Sequence, residues 1–159
     1  MRNRILALGL LALPLFVSAQ TNEQFADMND TIEMVRSVAA LERKAVVTRG
    51  LQLTGQESTD FWPIYDEYTA EKKRINDRLV KVITDYAANF ESLSDELATS
   101  LVNDSMKVQS DLLKVRKKYL KKFKKVLPPK TLARFYQIEN KLDAVSNVTM
   151  AQGIPLVTN

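Results

Sequence analysis

From about Asp30 onward, apolar residues return every three or four positions rather than in alternation, a spacing that reads as amphipathic helix rather than strand. A first helix is expected from Asp30 to Leu51, with Ile32, Val35, Val38, Ala39, Val46 and Val47 on its apolar face. Thr54-Gly55-Gln56-Glu57 fits a capping box opening a second, long helix with the stripe Phe61, Tyr65, Tyr68, Ile75, Leu79, Val82 and Tyr86. Pro63 lies inside that pattern and predicts a kink near the helix start, because it lacks an amide and crowds the Thr59 carbonyl. Ser94 suits the cap of a third helix carrying Leu97, Leu101, Val108, Leu112, Val115, Tyr119, Phe123 and Val126. Leu127-Pro128-Pro129 stops it, and Pro129 suits the first turn of a fourth helix with Leu132, Phe135, Tyr136, Ile138, Leu142 and Val145.

The expected fold is therefore all-α: about four helices in a thin, elongated antiparallel hairpin layer. About 35 residues at 1.5 Å each give the second helix a length of roughly 50 Å. A layer that thin leaves apolar surface for a partner, so a homodimer is expected. Ahead of the helices, Met1-Arg2-Asn3-Arg4 is basic and Ile5 to Val17 is apolar over 13 residues. Val17-Ser18-Ala19 follows with small residues, the layout of a cleaved export signal. The run is shorter than the roughly 18–20 residues that span a bilayer. The expected organisation is a signal peptide at 1–19, a mobile segment at 20–29, a helical domain at 30–150 and a flexible tail at 151–159. Periplasmic or secreted localisation follows from cleavage near Ala19.

Composition narrows the chemistry. The 159 residues include no Cys or His and only four glycines. That removes disulfides, imidazole or thiolate metal ligands, the usual Ser-His and Cys nucleophile systems and glycine-rich phosphate loops. No catalytic residue, metal site or cofactor is expected. Asp60, Asp66, Glu67 and Glu71 read as a solvated acidic face, since no loop adds further oxygen ligands.

Charge adds the candidate site. The whole chain has 23 basic against 19 acidic residues, yet their distribution is uneven. Gln20 to Asp104 carries 9 basic and 16 acidic residues, whereas Ser105 to Lys141 carries 12 basic residues against Asp111 and Glu139. The densest stretch contains Lys114, Arg116, Lys117, Lys118, Lys121, Lys122, Lys124 and Lys125, with Tyr119 and Phe123 four apart inside it. Such a run is either a solvated helix face with its aromatics in the core or a surface for unfolded or acidic protein segments. An anionic membrane surface is a further reading. Nucleic acid is disfavoured by export and by the lack of a recognised motif.

Two stretches resemble the Leu-Thr-x-x-Gln motifs of the Spy/CpxP-type family of small all-helical periplasmic chaperones and stress regulators. They are Leu53-Thr54-Gly55-Gln56-Glu57 and Leu127-Pro128-Pro129-Lys130-Thr131-Leu132-Ala133-Arg134-Phe135. The first has Glu57 where the family has Gln, while the second has Pro128 for Thr and Thr131 for Gln. The resemblance implies a cradle-shaped dimer whose basic, partly apolar concave face binds non-native proteins without ATP. It also implies that Leu53, Thr54, Glu57, Leu127, Pro128 and Pro129 hold helix junctions. The functional expectation is an exported, ATP-independent chaperone-like protein. The alternatives are an envelope stress regulator or adaptor for one folded partner, and a peripheral protein of anionic membranes.

Overall fold

The computed structural model describes residues 39–157. The expected signal peptide, the segment 20–29 and the first turns of the first helix lie outside the described residues. The chain divides into two compact units, Met1–Glu42 and Arg43–Asn159. The second unit holds the described core. The described elements are helix α1 over 39–51, helix α2 over Gly55–Ala88, a single 3-10 turn at Phe90–Ser92, helix α3 over Asp95–Phe123 and helix α4 over Pro129–Gly153. No strand occurs among the described residues, so the chain is all-α there.

The junctions form as the local chemistry dictates. After Leu51 the backbone turns left-handed at Gln52 (φ 51°), which stops α1. Two residues later the capping box is complete: the Glu57 amide donates to Thr54 Oγ1 at 3.4 Å, and the Thr54 amide donates to the Glu57 carboxylate at 2.9 Å. Leu53 lies half-buried against the core. α2 then runs from Gly55 through Pro63 to Ala88 as one helix. Ser94 caps α3 by accepting from the Leu97 amide at 3.2 Å. α3 ends at Phe123, short of the expected Val126, and the chain tightens into a turn in which the Leu127 amide returns to the Phe123 carbonyl. A proline disfavours helical geometry in the residue before it, and Leu127 precedes Pro128. Leu127 is buried, Pro129 takes the first position of α4, and α4 continues to Gly153, three residues past the expected domain end.

Packing follows the stripes. α2 and α3 are antiparallel, as their facing pairs show: Phe61 with Phe123, Tyr68 with Tyr119, Glu71 with Lys118 and Arg78 with Asp111. α4 runs alongside α2 in the same direction, with Phe135 beside Phe61 and Tyr65, Asp143 beside Lys72, and the Pro155 carbonyl accepting from the Tyr86 hydroxyl at 2.9 Å. The core is an aromatic cluster of Phe61, Tyr65, Tyr68, Tyr119, Phe123 and Phe135, with Phe123 and Phe135 centroids 4.7 Å apart. Each such ring contributes about 1.5–3 kcal/mol on burial. α1 reaches α4 closely at Gly50, where a Cβ would stand 2.5 Å from Ile138 Cδ1. Any larger residue there would force Ile138 to move.

Candidate functional site

The fold divides the basic run of α3 three ways. Tyr119 and Phe123 turn inward and are 3% and 0% exposed, so they belong to the core and offer no binding surface. Burial raises the Tyr119 hydroxyl to about 12, helped by Glu71 and Glu67. Four cations of the run are engaged by neighbouring side chains. Lys118 bonds Glu71 at 2.7 Å and Lys122 bonds Glu67 at 2.5 Å, both across to α2. Lys114 pairs with Asp111 at 2.8 Å on its own helix. Arg116 hydrogen-bonds Asn140 and lies over the Tyr136 ring, whose hydroxyl donates to the Arg116 carbonyl. These contacts pull carboxyls down: Lys118 lowers Glu71, and Lys114 with Arg78 lowers Asp111 to about 2.

Lys117, Lys121, Lys124 and Lys125 make up the third group. All four are exposed, and none has an ion-pair partner among the described residues. Lys117 and Lys121 fall four apart on the face of α3 that points away from the core, and Lys124 and Lys125 follow in the turn that ends the helix. Upstream on the same face stand Val102, Met106 and Leu113, each more than half exposed. The surface is thus an apolar patch that passes into an uncompensated basic one, on a helix anchored from behind by Val108, Val115 and Tyr119.

The expected acidic face is dispersed among single partners. Asp60 accepts from Gln56, Asp66 pairs with Lys44, and Glu67 and Glu71 take the α3 lysines. No group of three or more His, Cys, Asp or Glu among the described residues could hold a metal ion. The aromatic segment 61–68 is likewise mostly core, except that Trp62 is half-buried, donates to Ser58 at 3.0 Å and carries Lys44 over its ring.

The chain also buries a charge cluster that its sequence pattern conceals. Glu139 of α4 is fully buried, and its carboxylate accepts from Arg43 Nε at 3.0 Å, a second Arg43 nitrogen at 2.8 Å and Lys72 Nζ at 3.2 Å. One helical turn on, Asp143 accepts from Arg43 at 2.7 Å and Lys72 at 3.1 Å, with Arg116 at 3.8 Å. The cluster therefore joins α1, α2, α3 and α4. Burial alone would raise Asp143, but Lys72 and Arg43 outweigh it and hold that carboxyl below its usual range. Burial alone would lower Arg43, but Glu139 and Asp143 raise it instead. Both carboxylates are thus committed to several cations, an arrangement suited to locking helices together rather than to moving protons. Beside them, the Tyr65 and Tyr68 hydroxyls are buried with no hydrogen-bond partner among the described residues, and burial followed by Glu139 pushes both up.

No helix among the described residues is long and apolar enough to cross a membrane. Comparison with protein-family models, with curated proteins and with solved structures finds no match.

Proposed function

We propose that this chain is an exported, ATP-independent chaperone-like protein that captures acidic or non-native protein segments on the outward face of α3 and the turn that follows it. The observation that carries this reading is the set of four exposed, unpaired lysines, Lys117, Lys121, Lys124 and Lys125, beside exposed Val102, Met106 and Leu113. Unpaired cations attract acidic chains at long range, and their aliphatic stems with the apolar patch then add short-range contact. A binding surface for non-native chains needs both, because such chains expose apolar residues among charges. The basic leader and small-residue site at 1–19 support export.

Light scattering tests the proposal. The purified protein should slow aggregation of an unfolding acidic client, more strongly at 20 mM than at 300 mM salt, where screening shortens to a few ångströms (~6 Å). Changing Lys117, Lys121, Lys124 and Lys125 together to Gln should abolish protection without unfolding the protein. Protection that is absent at every salt, or unaffected by the quadruple change, overturns the reading. A single stoichiometric partner captured without client protection would instead favour the adaptor reading.

A further inference from the structure

α4 changes character partway along. Up to Asp143 it is packed: Phe135 and Glu139 see no solvent, and Leu132, Tyr136, Ile138 and Leu142 lie half-buried against the core. From Ala144 to Gly153 every residue is exposed, although the chain stays helical throughout. Over the same stretch the sequence carries no charged side chain, and none occurs from Ala144 to Asn159. Val145 and Val148 stand 66% and 57% exposed there, and Leu156, just beyond the helix, stands 89% exposed. A helical segment bathed in water has no reason to exclude every charge, since charged and polar side chains are what solvent-facing helix positions ordinarily hold.

The packed half supplies the complement. At 100° per residue, Lys130, Arg134, Lys141, Val145 and Val148 fall within about 60° of arc, on the side of α4 opposite Phe135 and Glu139. Lys130, Arg134 and Lys141 are exposed, and none has an ion-pair partner among the described residues. The two acids of α4, Glu139 and Asp143, are turned toward Arg43 and Lys72. One stripe therefore runs from unpaired cations into an uncharged, apolar end, with no acid on it.

We infer that this stripe docks on an anionic phospholipid bilayer, with Lys130, Arg134 and Lys141 at the headgroups and Val145, Val148 and Leu156 at the acyl boundary. A headgroup layer rich in anionic lipid presents one sign of charge and attracts each nearby Lys or Arg. The boundary beneath takes apolar side chains and rejects charged ones, which accounts for the charge-free end. A folded protein partner accounts for less, because protein surfaces intersperse both signs and give the stripe no reason to lack acids. No described helix is long and apolar enough to cross a membrane, and the stripe needs none, because α4 lies on the surface. The inference does not rest on client capture: those lysines belong to α3 and the turn after it, and this stripe belongs to α4.

Sedimentation with vesicles tests it. The protein should pellet with vesicles of equal parts phosphatidylglycerol and phosphatidylcholine, and stay in solution with phosphatidylcholine alone. Changing Lys130, Arg134 and Lys141 together to Gln should weaken binding on the order of 100-fold, since each basic residue near the headgroups contributes about fivefold. Val148→Asp should weaken it about tenfold or more, because a charge is driven out of the acyl boundary, and should leave client protection unchanged. Since the chain has no cysteine, a polarity-sensitive maleimide dye can be placed on Val148→Cys, or on Ser110→Cys at an exposed position of α3. Anionic vesicles should move the dye at 148 into an apolar environment and leave the dye at 110 in water. Circular dichroism of each variant without vesicles separates lost binding from lost helix. No binding, equal binding to neutral vesicles, or a dye response at 110 without one at 148 overturns the inference. Client protection lost in Val148→Asp, with no vesicle binding by the parent protein, would mean that the stripe takes protein instead. Failure of the α3 lysines to protect a client leaves vesicle binding through α4 standing, so the two readings fail separately.

Discussion

Two groups of charge sit within a few turns of each other and do opposite things. Arg43, Lys72, Arg116, Glu139 and Asp143 are drawn into the helix junction, where each carboxylate accepts from several cations and Glu139 sees no solvent. Lys117 and Lys121 on the far side of α3, with Lys124 and Lys125 in the turn after it, stand exposed and unpaired among the described residues. Arg116 and Lys117 are neighbours in sequence, yet about 100° around the helix separates a structural cation from a free one. Burial and partner number, rather than local charge density, therefore decide whether a charge belongs to the fold or to a partner.

The largest expected effect comes from breaking the buried group. Glu139→Gln leaves Arg43 and Lys72 facing a neutral amide in a desolvated site, which costs about 3–5 kcal/mol. Changing each of the four exposed lysines to Gln should stay within about 0.5 kcal/mol per site. Urea denaturation followed by circular dichroism compares the two variants directly, and equal losses would contradict the division.

Much of the buried group could have been read from spacing. Lys72 continues the series Phe61, Tyr65, Tyr68, Ile75 and Leu79 at intervals of four and three, and the expected stripe simply stepped over it. Glu139 likewise follows Leu132 and Phe135 on the inner face of α4. A lysine and a glutamate each occupying a core position predict one another, because neither tolerates burial alone. Helix number, the Thr54–Glu57 cap, the Ser94 cap and the start of α4 at Pro129 were legible because each depends on a few adjacent residues. The split within the basic run was not, since it depends on how far α3 is rotated toward α2. Even so, Glu67 and Glu71 lie four apart, as do Lys118 and Lys122, which is the spacing an antiparallel pair requires.

Acid should separate the two groups next. Lys72 and Arg43 hold Asp143 below its ordinary range against the opposing effect of burial. A lowered carboxyl contributes stability above its unfolded value, about 3.9, and that contribution is lost as pH falls through the lower folded value. The loss of stability below about pH 4 should be shallower in Asp143→Asn. It should be unchanged in the quadruple lysine variant. Denaturant midpoints measured from pH 2 to 7 give the comparison, and parallel acid limbs for Asp143→Asn and the parent protein would refute it.

A smaller change probes the lining of the buried group. The Tyr68 hydroxyl is buried with no hydrogen-bond partner among the described residues, while its ring keeps contact with Tyr119 and Phe123 and carries Lys72 5.1 Å from its centroid. An unsatisfied buried hydroxyl is a penalty, so Tyr68→Phe should be neutral or stabilise by up to about 1 kcal/mol. The sign at high pH agrees. Burial, then Glu139, raises Tyr68, so the unfolded chain ionises first near pH 10 and stability falls above that value. The variant should lose less stability between pH 9 and 11. A thermal midpoint that drops in Tyr68→Phe would mean that the hydroxyl is bonded after all.

The finest division runs through the basic helix itself, between lysines that differ by one position. Lys118 and Lys122 bridge to Glu71 and Glu67 with side chains 55% and 41% exposed, so solvent screens both pairs. Lys118→Gln and Lys122→Gln should each cost about 0–1 kcal/mol, less at high salt. The Glu71 carboxyl, now held low chiefly by Lys118, should titrate closer to its ordinary value in the first variant, which carbon-detected NMR can follow. Client protection should survive both changes. Removing Lys118 does, however, leave Glu71 as an unpaired anion behind the proposed binding face, so a modest loss of protection at low salt that disappears at high salt would be electrostatic. A loss that persists at 300 mM salt would mean that Lys118 contacts the client itself, and the line between structural and free cations would then have to be redrawn one residue further around α3.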